Sequence, residues 1–179
     1  MRFQGLQILE SQPQTIVSLN DALAQLHLDA GFDDDKVQTC IDSAVMFVEG
    51  YMWRSYRQQT IQAIYSIDGY DYAELMRGDF GELVSVQFFD GSLQTIDIGS
   101  VIVDSTLPIA RAYFTEPTVN GDYFAPVKIT YTTQAPAVVP AQIKQAMLIA
   151  TAQFYDDRDA PDMSSVQRIL DIFKTRYFL

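Results

Sequence analysis

The stretch VVPAQIKQAMLIATAQFYDDRDAP, Val138 to Pro161, combines two features that rarely share one segment. Apolar residues recur every three or four positions along it, which is typical of a helix with a buried face. The helical pattern then leads directly into the charged run DDRD, residues 156–159. The segment therefore predicts a long helix and leaves open whether its acidic end is a binding site or a solvated helix end.

Two apolar stripes run along this predicted helix, and Pro140 suits its first turn because the missing N–H costs nothing there. The residues of the first stripe are Ile143, Ala146, Met147, Ala150 and Phe154. Those of the second stripe are Leu148, Ala152 and Tyr155. A helix that is apolar over this breadth is expected to be buried on two sides, the second against another subunit or against a sheet of the same chain.

Three further helices are expected. Ser18 and Asp21 resemble a capping box with Asp in place of Glu, and they begin a short predicted helix over residues 18–28. A run of aspartates, which favours the positive end of a helix dipole, begins the second at residues 34–53. Apolar spacing after Pro161 predicts the last helix over residues 162–177.

The middle of the chain changes character, because β-branched and aromatic runs alternate with turn signals there. The clearest runs are TIQAIY at 60–65, LVSVQFF at 83–89, LQTI at 93–96, IV at 102–103 and VKITY at 127–131. Asp90-Gly91 predicts a hairpin turn between the second run and the third. We therefore expect an antiparallel sheet of four to six short strands.

The predicted fold class is α+β, a small bundle of about four helices with an inserted antiparallel β region. A chain of 179 residues is most simply one domain. Its expected parts are an extended N-terminal arm at 1–17, helices at 18–54, the β region at 59–131 and C-terminal helices at 140–179.

The composition bounds the classes of partner. There are 23 acidic residues against 12 basic ones, a net charge of −11, so the chain repels nucleic acid and lacks a basic patch for phosphate. Cys40 is the only cysteine, which excludes an intrachain disulfide and a cysteine-ligated zinc site. No run approaches the roughly 18 apolar residues that a membrane span needs, so we expect no membrane partner and a reducing cytoplasm.

The aspartates at the end of the Val138–Pro161 stretch are candidate ligands for a divalent cation, which prefers several oxygen atoms. Asp156, Asp157, Asp159 and Asp162 match no calcium-loop spacing, and Arg158 supplies a partner charge among them. A solvated, salt-bridged helix end is the favoured interpretation. We predict no metal site, no cofactor and no catalytic residue.

Three other motifs have structural explanations. His27 is the only histidine and ends a short helix, which favours capping or packing over catalysis. Cys40 lies on the apolar face of its helix and is expected to be a buried, inert thiol. Arg77-Gly78-Asp79 spells an adhesion tripeptide, but three-residue matches occur by chance and a turn is expected.

Two groups of residues are candidates for partner contact. Trp53 and Arg54 are types enriched at binding hot spots, although closing the core is the alternative for both. The N-terminal arm and the final Tyr177, Phe178 and Leu179 either contact a partner or pack on their own domain, because exposed apolar termini are unfavourable unless covered.

The order of segments resembles the tailed-phage head–tail connector (adaptor) proteins. Their first helix is similar to SLNDALAQLHLD at 18–29, and the end of their second helix is similar to IDSAVMFVEGYMWR at 41–54. A strand of theirs, with the turn that follows it, is similar to LVSVQFFDG at 83–91. The most specific match is ITYTTQAPAVVPAQIKQAMLIATAQFYDDRD at 129–159, a Tyr-Thr strand, a Val-Pro start and a helix ending in an aromatic, acidic and Arg cluster. The resemblance covers nearly the whole chain.

The resemblance implies a virion protein that is made in the host cytoplasm and forms a ring, usually of twelve copies, under the portal at the capsid vertex. Such a ring extends the DNA channel and docks tail or further neck proteins, and it needs neither catalyst nor cofactor. Another phage tail or neck completion protein is one alternative. A small metal-dependent enzyme that uses the aspartates near residue 156 is the other.

A ring also has physical requirements. Its interface is heterologous, formed by two different faces of each subunit. We expect the helix at 140–155 to supply part of it through the second stripe, with Asp156, Asp157 and Arg158 pairing across subunits. Because every copy carries excess acid, carboxylates are expected to line part of the channel, and DNA would slide through without specific binding.

Overall fold

A computed structural model describes residues 1–66, 72–89, 93–106, 109–114, 126–157 and 160–174. These residues form four α-helices and two antiparallel sheets, which confirms the α+β class. The chain divides into a β unit, Met1–Pro13 with Arg57–Pro136, and a helical unit, Gln14–Tyr56 with Ala137–Leu179. Among the described helices, not one combines the length and the apolar character needed to cross a membrane.

The helical unit follows the predicted order of helices. They are α1 (Leu19–Leu26), α2 (Asp34–Met52), α3 (Ala141–Asp156) and α4 (Ser164–Asp171). Their apolar faces enclose one core, in which Val37, Ala44, Val48, Met147 and Val166 are fully buried. The predicted last helix was too long at both ends: α4 begins after Asp162, whose carboxylate accepts the N–H of Ser164, and it ends where Phe173 donates to Leu170 in a tight turn.

The ends of α1 and α2 agree with the sequence signals. Ser18 accepts the backbone N–H of Asp21 at 3.1 Å, as the capping box predicts. Both helices finish at a residue in the left-handed region, His27 with φ 56° and Trp53 with φ 52°. The backbone N–H of each donates to carbonyl groups of the last helical turn, so His27 caps α1 as expected.

The β unit contains a five-stranded sheet of order β1-β2-β8-β4-β5 and a three-stranded sheet of order β3-β7-β6. The strands are β1 (Arg2–Ser11), β2 (Gln59–Ser66), β3 (Tyr72–Leu75), β4 (Phe80–Phe89), β5 (Leu93–Ile96), β6 (Val101–Asp104), β7 (Ala110–Phe114) and β8 (Pro126–Thr133). Burial alternates strictly along β2, so one of its faces packs onto the core.

The β region is larger than predicted. Residues 2–11 of the expected arm are strand β1, which pairs antiparallel with β2. The expected count of four to six strands was also too low, because seven described strands follow residue 57. The overlooked β3 and β7 have four and five residues and carry Glu74 and Arg111, which form an ion pair at 3.2 Å and interrupt the apolar pattern. The predicted Asp90-Gly91 turn lies outside the described residues.

Two buried tyrosines link the five-stranded sheet to the segment around β3. The hydroxyl of Tyr65 donates to the carbonyl of Glu74, and that of Tyr131 donates to the carbonyl of Met76 at 2.7 Å. Burial raises the pKa of both hydroxyls, so each stays a donor at any physiological pH.

Candidate functional site

Helix α3 is the element on which the expected subunit interface was placed. Its fully buried face comprises Ile143, Ala146, Met147, Ala150 and Thr151. The second stripe is intermediate, since Leu148, Ala152 and Tyr155 are each half-buried within the chain. Leu148 and Tyr155 pack against the helical core. The second stripe is therefore partly covered by its own unit and partly exposed.

Tyr155 joins the end of α3 to the beginning of α2. Its hydroxyl donates to a carboxylate oxygen of Asp33, the N-cap residue of α2. The Lys36 ammonium lies 3.5 Å from the centre of the Tyr155 ring and 3.7 Å from the same Asp33 oxygen. A hydrogen bond, an ion pair and a cation–π contact thus meet at one point.

This contact brings together two acidic runs that are far apart in the sequence. Asp33, Asp34 and Asp35 begin α2, whereas Asp156 and Asp157 follow Tyr155 directly and are exposed. We call these five carboxylates the acidic end of the helical unit. Nothing in the sequence pattern pairs the two runs, because the link depends on the tertiary contact of Tyr155 across 122 residues.

Two of the aspartates that were considered as metal ligands accept backbone N–H groups beside helix ends. Asp157 accepts the backbone N–H of Ala160 at 3.2 Å. Asp162 accepts the N–H of Ser164, and this bond lowers the pKa of its carboxyl. Arg158 and Asp159 lie outside the described residues. Within the part of the chain that the structure describes, no three His, Cys, Asp or Glu side chains are grouped so that they could hold a metal ion.

The end of α2 is organised around a buried carboxylate that the sequence interpretation did not single out. Glu49 is 1% exposed and accepts the backbone N–H of Tyr56 at 2.8 Å. Trp53 and Arg54 lie in the turn between these two residues, and both are half-buried. Burial raises the pKa of the Tyr56 hydroxyl, and the charge of Arg54 partly offsets this rise.

The C-terminal candidates Tyr177, Phe178 and Leu179 lie outside the described residues. Asp171 of α4 precedes them in the sequence and accepts a hydrogen bond from the hydroxyl of Tyr51 in α2. This bond raises the pKa of Tyr51. The Lys174 ammonium lies 4.1 Å from the centre of the Tyr51 ring. The described end of α4 is therefore held against the end of α2.

Among the described residues of the helical unit, several large apolar side chains are largely exposed: Phe32, Met46, Val138 and Ile172 at 88%, 65%, 80% and 81%. The sequence interpretation passed over them because they lie in loops or on a mainly polar face, away from the apolar periodicity. Exposed apolar groups of this size are available for contact with other chains.

The remaining motifs are structural. Cys40 is buried on α2, as predicted. Arg77 is 9% exposed and, like Gly78, has a positive φ, so the tripeptide forms a turn whose arginine is not presented to a receptor.

Replacing Tyr155 by phenylalanine should remove its bond to Asp33 and lower the free energy of unfolding of the helical unit by about 1 kcal/mol. Replacing it by alanine should cost more, because the contact with Lys36 is lost too. Urea unfolding followed by the fluorescence of Trp53, the single tryptophan, measures both. Equal stability of wild type and Tyr155→Phe would show that the bond contributes nothing.

The fold matches those of known particle components. No family model and no curated protein matches the chain. A chain from the neck of an empty gene transfer agent (GTA) particle, computed with C6 symmetry, is similar with a TM-score of 0.74 and 16% identity over 98% of both chains. A chain from the virion of a native GTA particle is similar with a TM-score of 0.70 and 16% identity over 98% of both chains. A chain from the neck of a native GTA particle, computed with C12 symmetry, has a TM-score of 0.61 and 16% identity over 96% of this chain and 98% of that chain.

Proposed function

We propose that this chain is a structural protein of a phage-like virion, a head–tail connector that forms a ring of twelve copies under the portal. The observation that carries this proposal is the likeness of fold to chains from GTA necks along almost their entire length. Those necks were computed with six-fold and twelve-fold symmetry, which agrees with a cyclic assembly. The role is mechanical and not catalytic.

The ring would extend the DNA channel beyond the portal and offer a surface to tail or further neck proteins. Each copy carries a net charge of −11, and the acidic end of the helical unit includes the exposed Asp35, Asp156 and Asp157. A channel lined in part by such groups does not neutralise phosphates, so DNA passes without specific binding.

The interface between neighbouring copies would use two different faces of the subunit. The half-buried second stripe of α3, the turn with Trp53 and Arg54, and the exposed Phe32 and Met46 are available for it. Asp156 and Asp157 are exposed beside the stripe, where they can pair with cations of a neighbour.

The proposal predicts that the protein co-purifies with the portal ring encoded beside its gene. The mass of the complex should correspond to about one copy per portal chain, which mass photometry measures directly. An unrelated acidic protein of similar size is the control for non-specific retention. A folded protein that never associates with the portal would contradict the connector role.

A further inference from the structure

The five-stranded sheet ends on each side in a strand with a free edge. In the described part of the chain, β1 pairs only with β2, and β5 pairs only with β4. Residues 7–11 of β1 and residues 94–95 of β5 are exposed, so the described residues leave these parts of the two edges uncovered. Neither strand contains proline or lysine, residues with which proteins commonly block an open edge.

Hydrogen bonds beside β2 determine which backbone groups of β1 face outward. The N–H of Gln12 donates to the carbonyl of Gln58 at 2.9 Å, so residue 58 faces β1. The next N–H, of Gln59, donates to the Thr133 hydroxyl at 3.1 Å, on the side of β8. Facing directions alternate along an antiparallel strand, so Thr60 faces β1 and residue 61 faces β8.

It follows that the partner of Ile61, which is Ile8, turns its N–H and C=O away from β2. The same alternation turns the backbone groups of Leu6 outward. Both residues belong to Gly5–Ile8, the regular part of β1 between its two register shifts. Among the described strands, none pairs with the outer side of this four-residue edge.

The alternation extends across the sheet to its other end. Ile61 pairs with Tyr131 in β8, so Thr130 is the residue there that faces β4. Continued through β4, the pattern directs Ile96 toward β4 and turns Thr95 and Leu93 outward. Each edge thus offers two outward residues that are two positions apart, within four regularly paired residues.

We propose that β1 of one copy pairs with β5 of the next copy around the ring, so that the sheets of neighbouring subunits become continuous. This inference rests on the proposed connector function. The two edges match in length and in the spacing of their outward groups, and they are different surfaces, as a cyclic interface requires. An extended backbone is the partner that such an edge recognises.

The topology also fixes the direction of the junction. Because the sheet has five strands that are all antiparallel, β1 and β5 run in the same direction. Neighbours in a twelve-fold ring are related by a rotation of about 30°, which leaves strand direction nearly unchanged. The junction is therefore parallel, a pairing slightly less stable per residue than the antiparallel one, and it forms when copies stand side by side on the portal.

Hydrogen exchange of the wild-type protein tests the junction, free and in complex with the portal ring. Backbone amides of Ile8 and Thr95 should exchange about tenfold more slowly in the complex, because each gains a hydrogen-bond acceptor from a neighbour. A full ring in which both edges exchange at the free rate would overturn the junction while leaving the connector function intact. No complex at all would overturn both.

Matched variants give a second readout. Ile8→Pro and Thr95→Pro remove one outward N–H each, whereas Ile8→Ala and Thr95→Ala shorten the same side chains and keep it. The proline variants should give incomplete rings on the portal and the alanine variants complete ones, with native circular dichroism for all four. Complete rings with both proline variants would refute the pairing. Should a proline variant misfold, the exchange measurement on the wild type still decides.

Discussion

Replacing Glu49 by alanine is expected to lower the free energy of unfolding of the helical unit by about 3 kcal/mol. The carboxylate is buried at the end of α2 and accepts the N–H of Tyr56. Alanine would leave that buried donor without its acceptor and would open a cavity where the side chain packed. Urea unfolding followed by Trp53 fluorescence reports on this unit, because Trp53 lies in it.

Glu49→Gln is the matched control for this change. The amide oxygen of glutamine can still accept from Tyr56 and fills nearly the same volume, so a loss of only about 1 kcal/mol is expected. If alanine were no worse than glutamine, the buried carboxylate would not organise the turn that presents Trp53 and Arg54.

Replacing Met147 by alanine is expected to destabilise the helical unit by about 3 kcal/mol, because Met147 is fully buried and the cavity cannot be filled by solvent. Leu148 is its neighbour in sequence but is half-buried, so Leu148→Ala should cost only about 1 kcal/mol. The same urea titration measures both variants.

Comparing Met147→Ala with Leu148→Ala distinguishes an effect on folding from an effect on ring assembly. Leu148→Ala should remain folded yet bind the portal as an incomplete ring, since part of the second stripe is proposed to contact a neighbour. Wild-type ring stoichiometry with Leu148→Ala would remove that residue from the interface. Equal destabilisation by the two substitutions would place Leu148 in the core with Met147.

Local patterns predicted the helices well. The aspartates at the start of α2, the capping box of α1 and the apolar spacing of α3 each act within one or two turns, so they can be identified from neighbouring residues. The alternation in β2 is equally local and equally clear. The resemblance of segment order to connector proteins likewise anticipated a fold found in GTA necks.

Features that depend on distant contacts were not predictable in this way. The strand β1 lacks clean alternation and becomes a strand because β2 offers it an edge. Two short strands were missed because each carries one partner of the ion pair between Glu74 and Arg111, which interrupts the alternation of apolar residues. The two acidic runs meet through the hydrogen bond of Tyr155 to Asp33, which no local pattern predicts. The sequence also does not distinguish the buried Glu49 from a surface carboxylate of a helix.

The measurement that tests the central claim most directly is electron microscopy of the complex between this protein and its portal ring. The connector role predicts a second ring of twelve copies, coaxial with the portal and open at its centre. A complex with scattered or single copies on the portal, or portal rings without added density, would contradict it.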